Sequence, residues 1–308
     1  MKIQNRSLKI LSIFFLLFII LLSACQPENQ ETGLQEKSTQ VTVSILPQAY
    51  FVDRISGGSV SVNVMVGPGQ EAHTYEPKPE QMRALTQSNI LFTIGLEYEA
   101  VWVPRFKDIN PNLAIIDSAK GIQRIPLTTD HSHEDDEESH EDEENEGLDP
   151  HVWLSPENGK IIAENTLVAL NALIPESAEM FRENFDALIA DIENLDRDIN
   201  DTLNTLEQRK FMVFHPAWGY FADHYNLEQF PVQVGGQDPS PSELAALVDM
   251  AQNEKIKVIF VQPTFNTASA AAVAQEIGAE VAVIDPLAKD WLSNLESAAK
   301  AFKSALSN

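Results

Sequence analysis

The stretch PESAEMFRENFDALIADIENLDRDINDTLNTL, Pro175 to Leu206, decides how the chain is organised. Within it Phe181, Phe185, Leu188, Ile189, Ile192, Leu195, Ile199, Leu203 and Leu206 recur at spacings of three and four, with polar residues elsewhere. One apolar stripe of that period is the pattern of an amphipathic helix with a single buried face. Pro175 suits a helix start, where its missing N–H has no intrahelical partner. About 30 residues at ~1.5 Å each make a rod of roughly 45 Å, enough to span two lobes.

Working outward, both flanks alternate short apolar runs with helix-like segments. On the amino-terminal side, residues 41–46, 60–66, 90–94 and 113–116 read as strands, and 48–55 and 78–88 as helical. Residues 100–106 start a helix expected to be interrupted at Pro104, and 156–173 carry a further helix. On the carboxyl-terminal side, 211–214, 229–234, 258–261 and 281–284 read as strands, with helices over 242–253, 267–277 and 291–306. Strands alternating with helices imply βα units and largely parallel sheets. The expected fold is α/β: two lobes, each a mostly parallel sheet with flanking helices, joined by one long helix. The expected segments are an N-terminal lobe over 41–174, the linking helix over 175–207 and a C-terminal lobe over 208–308.

Residues 1–24 do not belong to either lobe. Lys2, Arg6 and Lys9 precede an apolar run over 10–22 broken only by Ser12. Thirteen or so apolar residues are too few for a membrane span of about 20 and fit the core of a signal peptide. Leu22-Ser23-Ala24-Cys25 resembles a bacterial lipobox, in which the cysteine receives a lipid and becomes the mature N-terminus. Residues 25–40 are polar and aperiodic and read as a flexible tether. Cys25 is the single cysteine of the chain. With its thiol acylated, no internal disulfide and no thiolate metal ligand is available, so a metal site must use histidine and carboxylate.

The formal charge is −25, and it becomes −28 once the three basic groups of residues 1–24 are removed. Such a balance excludes nucleic acid as a partner. Residues 130–146 hold eleven of the acids, with His131, His133 and His140 and no large apolar side chain. The segment 128–147 therefore cannot add to a core and reads as a solvated loop. Its histidines beside carboxylates suggest low-affinity auxiliary metal binding.

The remaining histidines are His73, His151, His215 and His224. His224 lies in a helix-like segment and reads as structural. His73 lies beyond the strand ending at Val66, His151 beyond the fourth strand and its loop, and His215 directly after Phe214. Asp285 similarly follows Ile284. Ligands of open α/β sheets gather at the carboxyl ends of the strands, so two facing lobes would bring these four side chains to one cleft. Three imidazoles and a carboxylate are an acceptable tetrahedral set for zinc. Glu71, two residues before His73, and water compete with Asp285 for the fourth position. A zinc hydrolase is disfavoured by the lack of a His-Glu-x-x-His motif and of a second catalytic constellation.

The stretches EAHTYEPKP (71–79), DPHVWLSP (149–156), VFHPAWGYF (213–221), QDPSPSEL (237–244) and DPL (285–287), with the acidic loop between the first two, resemble the zinc- and manganese-binding lipoproteins of bacterial ABC importers. The resemblance covers essentially the whole mature chain. It implies two α/β lobes on a rigid helix with the metal held between them, and places His73, His151, His215 and Asp285 at ligand positions. It implies an extracytoplasmic receptor, lipid-anchored to the cell membrane and monomeric, that delivers its ion to a membrane permease without catalysis. His215 stands where manganese members carry glutamate, and imidazole-rich sites suit zinc rather than manganese. The expected cargo is therefore zinc, with a manganese receptor or an adhesin of the same family as the alternatives.

Overall fold

The computed structural model describes residues 39–127, 147–233, 237–264 and 268–307. The expected signal peptide, Cys25, the tether up to residue 38 and the loop histidines His131, His133 and His140 lie outside these residues. No helix among the described residues is long and apolar enough to cross a membrane.

The first sheet consists of β1 (Gln40–Ile45), β2 (Ser61–Val66), β3 (Ile90–Thr93) and β4 (Ala114–Asp117), in the order β2-β1-β3-β4. Every pairing in it is parallel. β1 is central, and its residues 41–45 are buried on both faces, as a strand covered by helices on each side must be. Helices α1 (Leu46–Ser56), α2 (Pro79–Leu85) and α3 (Glu97–Ile109) make the crossovers. Pro104 does not interrupt α3 as expected; the helix runs through it. Pro104 and Ala100 both lie on the exposed face, so the carbonyl that loses its intrahelical donor faces solvent rather than the core.

The second sheet repeats the topology. β5 (Lys210–Val213), β6 (Glu228–Pro231), β7 (Val258–Val261) and β8 (Glu280–Val283) run in the order β6-β5-β7-β8, again all parallel. Between the sheets come α4 (Pro156–Leu173) and α5 (Ala178–Leu203), and the second half adds α6 (Gly219–His224), α7 (Pro241–Asn253), α8 (Ala268–Ile277) and α9 (Trp291–Leu306).

The long helix is α5, 26 residues and so about 39 Å. It is shorter than its apolar period because Pro175–Ser177 forms a separate 3₁₀ turn. At the other end Leu206 packs into the core from a turn beyond the helix. Phe181, Leu188, Ile192, Leu195, Ile199 and Leu203 form its buried face, which lies against α1, α4 and α9. One apolar core consequently runs from Val43 of the first sheet through α5 to Phe211 of the second. A smaller cluster covers the outer face of the second sheet, with Met212 and Ile259 packed under Leu247 and Val273. The C-terminal helix closes the arrangement: Trp291 at its start packs on Phe51 of α1, ring centroids 5.0 Å apart, and against Gly159 of α4.

Candidate metal centre

Both sheets deliver side chains to the interval between them from the carboxyl ends of their strands. The loop after β2 carries His73. Buried Ala72 and Tyr75 anchor that loop, and Glu71 caps its turn: one carboxylate oxygen accepts the His73 N–H at 3.0 Å, the other the Thr74 N–H and hydroxyl at 2.8 Å each. Burial raises the Glu71 carboxyl, but these donors outweigh it and hold the group below the usual range. His151 precedes the 3₁₀ turn Val152–Leu154. His215 stands two residues past β5, next to Phe214, whose N–H still bonds the Phe260 carbonyl across the sheet.

The structure brings these three histidines together. Their ring centroids form a near-equilateral triangle with sides of 4.9, 5.2 and 5.4 Å. His215 Nε2 lies 3.1 Å from His73 Nε2 and 3.3 Å from His151 Nε2. Each ring is oriented from behind by an oxygen on its Nδ1: Glu97 Oε2 at 2.8 Å for His73, Asp149 Oδ1 at 2.7 Å for His151 and Gln233 Oε1 at 2.8 Å for His215. A carboxylate or carboxamide oxygen only accepts, so each Nδ1 carries the proton and each Nε2 presents its lone pair. Lone pairs facing one another at 3.1 and 3.3 Å repel unless a cation sits among them. For Zn–N bonds of about 2.0–2.1 Å at tetrahedral angles, neighbouring nitrogens fall roughly 3.3 Å apart, which matches the spacing seen.

Electrostatics separate His215 from His73. Burial, with two further imidazoles close by, pushes the His215 imidazole down to about 3, so it stays neutral through the physiological range. His73 is partly exposed. Burial lowers its pKa, but the hydrogen bond and charge of Glu97 outweigh that and leave it above the ordinary histidine value. Protons therefore compete with metal at His73 before His215, and affinity should fall as pH drops through the raised pKa of His73. Glu97→Gln keeps an acceptor for Nδ1–H but removes the charge. It is expected to move the midpoint of that loss to lower pH and to weaken binding several-fold at pH 8. Zinc titrations between pH 5 and 8 check this, and an unmoved midpoint would refute the role of Glu97.

The remaining expected residues behave differently. Among the described residues, the cluster of ligand atoms lying within 4.8 Å of one another contains only the three histidines. Asp285 and Glu71 line the same cavity outside that cluster. Asp285 Oδ1 accepts the Leu287 N–H at 2.9 Å, and its carbonyl accepts from Asn294 Nδ2 at 2.7 Å. His224 bonds Asp196 of α5 through Nε2 at 2.8 Å, the structural part expected of it. Pro126 and Leu148, on either side of the acidic segment, form an antiparallel bridge two residues short of Pro150. The Tyr220 hydroxyl ties that root to the His215 loop, donating to the Asp149 carbonyl and accepting the Ile125 N–H.

Sequence reasoning missed the residues behind the histidines: Glu97, Asp149 as an orienting group, Gln233, and Trp153. Asp149 is fully buried and takes both the N–H and the Nδ1–H of His151 on one oxygen. Gly219 is required beside it, because a Cβ there would come within 2.4 Å of the other carboxylate oxygen. Gln233 falls inside the strand expected over 229–234, so the strand-end rule that singled out the histidines passed over it; in the structure that strand ends at Pro231.

A family model described as zinc-uptake complex component A, periplasmic, matches residues 41–305. A zinc-binding protein AdcA of Streptococcus pyogenes is 27% identical over 294 residues, covering 91% of this chain and 55% of its own length. The chain thus spans about half the length of that relative. A manganese-binding lipoprotein MntA of Halalkalibacterium halodurans is 25% identical over 279 residues, covering 89% and 88%. A crystal structure of ZnuA is 40% identical with a TM-score of 0.79, covering 87% of this chain and 99% of that one. The chain belongs to the zinc-uptake complex component A family.

Proposed function

We propose that the chain is an extracytoplasmic receptor that captures zinc with His73, His151 and His215 and delivers it to an ABC-type importer. The observation that carries this is the convergence of three Nε2 lone pairs at 3.1 and 3.3 Å, each ring fixed by an oxygen on its far nitrogen. Three neutral imidazoles favour zinc over manganese, which prefers oxygen donors. Asp285 is proposed as the fourth ligand. Glu71, whose two oxygens are engaged by its own loop, and water are the competitors. Binding without turnover, anchoring to the membrane through a lipid on Cys25, a monomeric state and a permease subunit as partner belong to the same proposal. So do the segment limits at residues 24, 40, 174 and 207.

The test is competition between metals. Purified mature protein is expected to hold one tightly bound zinc and to keep it against a hundred-fold excess of manganese. Displacement of zinc by manganese at that ratio would reassign the receptor. The auxiliary role proposed for His131, His133 and His140 is read from stoichiometry. Deleting 131–146 should leave the tight site and reduce total zinc bound, whereas loss of the tight site would place those residues in the primary centre.

A further inference from the structure

The carboxyl edge of the second sheet presents a row of side chains in register. Val213 pairs with both Pro231 and Phe260, so two residues on, Gln233, His215 and Gln262 stand side by side. The next strand pairs Val261 with Val283, which sets Ile284 level with Gln262 and Asp285 one residue beyond the row. Gln233 and Gln262 therefore flank His215, but they are used differently. Gln233 accepts the Nδ1–H of His215. Gln262 is only 5% exposed, lines the same cavity as the three histidines and Asp285, and its Nε2 has no partner.

A buried amide donor left unmatched costs about 1–3 kcal/mol, so its retention on the wall of a binding cavity points to an acceptor supplied by the bound state. The histidine nitrogens cannot serve, because their lone pairs converge on the cation position. The cavity, about 20 Å³, has room for roughly one water-sized group. A cation held by three imidazoles still has a tetrahedral position to fill, and an oxygen there carries the lone pairs a carboxamide N–H can meet. We infer that Gln262 is a positioning residue: its Nε2–H donates to the oxygen ligand that completes the coordination of the metal. That oxygen comes from the Asp285 carboxylate or from solvent, and the chemistry asked of Gln262 is the same in both cases. The inference rests on the three-histidine reading above.

Cobalt(II) is the probe, since its visible absorption reports coordination number and geometry. Wild type and Gln262→Met, which keeps the side-chain length but has no donor, would be titrated with cobalt and, by competition, with zinc. The expected result is a 10- to 100-fold loss of affinity and a weaker, shifted visible band, with the thermal midpoint of the metal-free protein close to wild type. Gln262→Glu serves as a second variant in case the first folds poorly, because it preserves shape while replacing the donor by an acceptor. Repeating Gln262→Met in an Asp285→Ala background separates the sources. If the effect disappears there, the oxygen belongs to Asp285; if it persists, to solvent; either supports the inference. Affinity within two-fold of wild type with an unchanged spectrum would overturn it while leaving the histidines in place. Retention of tight binding in a His215→Ala variant would overturn both readings.

Discussion

His215→Ala is expected to weaken zinc binding by more than about 100-fold, beyond the 10- to 100-fold typical of residues that only orient a ligand. The ring is the hub of the cluster, within 3.1 and 3.3 Å of both other Nε2 atoms. Its neutrality down to about pH 3 makes it a ligand that needs no deprotonation. Thermal denaturation gives an independent readout. Excess zinc at about 100 times its Kd should stabilise the wild type by about 2.7 kcal/mol and the variant far less at the same concentration. The depressed pKa adds a sign. Below about pH 6.5 the unfolded chain takes up a proton that the folded state refuses. The metal-free wild type should therefore lose stability as pH falls from 6.5 towards 3, and His215→Ala should flatten that slope. An equal zinc-induced shift in wild type and variant would refute the assignment of His215.

The second large effect is expected far from the metal. Trp291 is 1% exposed, its ring fills the space above Gly159, and its indole N–H donates to the Trp153 carbonyl at 2.6 Å. Trp291→Ala should cost about 3–5 kcal/mol from lost packing, with a further ~1–3 kcal/mol for the buried carbonyl left without its donor. Urea unfolding of the metal-free protein measures this, and a loss below about 1 kcal/mol would contradict it. The consequence should reach the site, because Trp153 passes the constraint on. Its own indole donates to the Pro286 carbonyl at 2.7 Å, and its ring lies 5.4 Å from that of His151. The two indoles thus link the start of the C-terminal helix to the His151 segment and then to the Asp285 turn. Roughly ten-fold weaker zinc binding is expected to accompany the destabilisation. Trp291→Phe, which keeps most of the apolar volume, should fall between the two on both measures.

Most elements were legible because their signals are local. The three-four spacing of Phe181 to Leu203 requires a helix, and the period-two alternation Val41-Thr42-Val43-Ser44-Ile45 reads as a strand. Pro104 was misjudged because the cost of a mid-helix proline depends on whether the orphaned carbonyl reaches water, and that is a property of the packed structure. The stripe on α5 shows that one face is buried but not by what, and α9 from the far end of the chain shares in covering it, so the core runs through both halves.

By itself, the sequence determined the βα grammar, the long helix, the single cysteine and the three histidines at strand ends. Each of these depends on residue type and on spacing along the chain. Only the tertiary structure decided which imidazole atoms converge and what holds them, since Glu97, Gln233 and Gln262 are ordinary polar residues until parallel pairing and the packing of two sheets bring them behind or beside an imidazole. The same is true of Asp285, which the sequence favoured as the fourth ligand, and of its competitor Glu71. Their difference lies in the hydrogen bonds that their own loops already make, and those exist only in the folded chain.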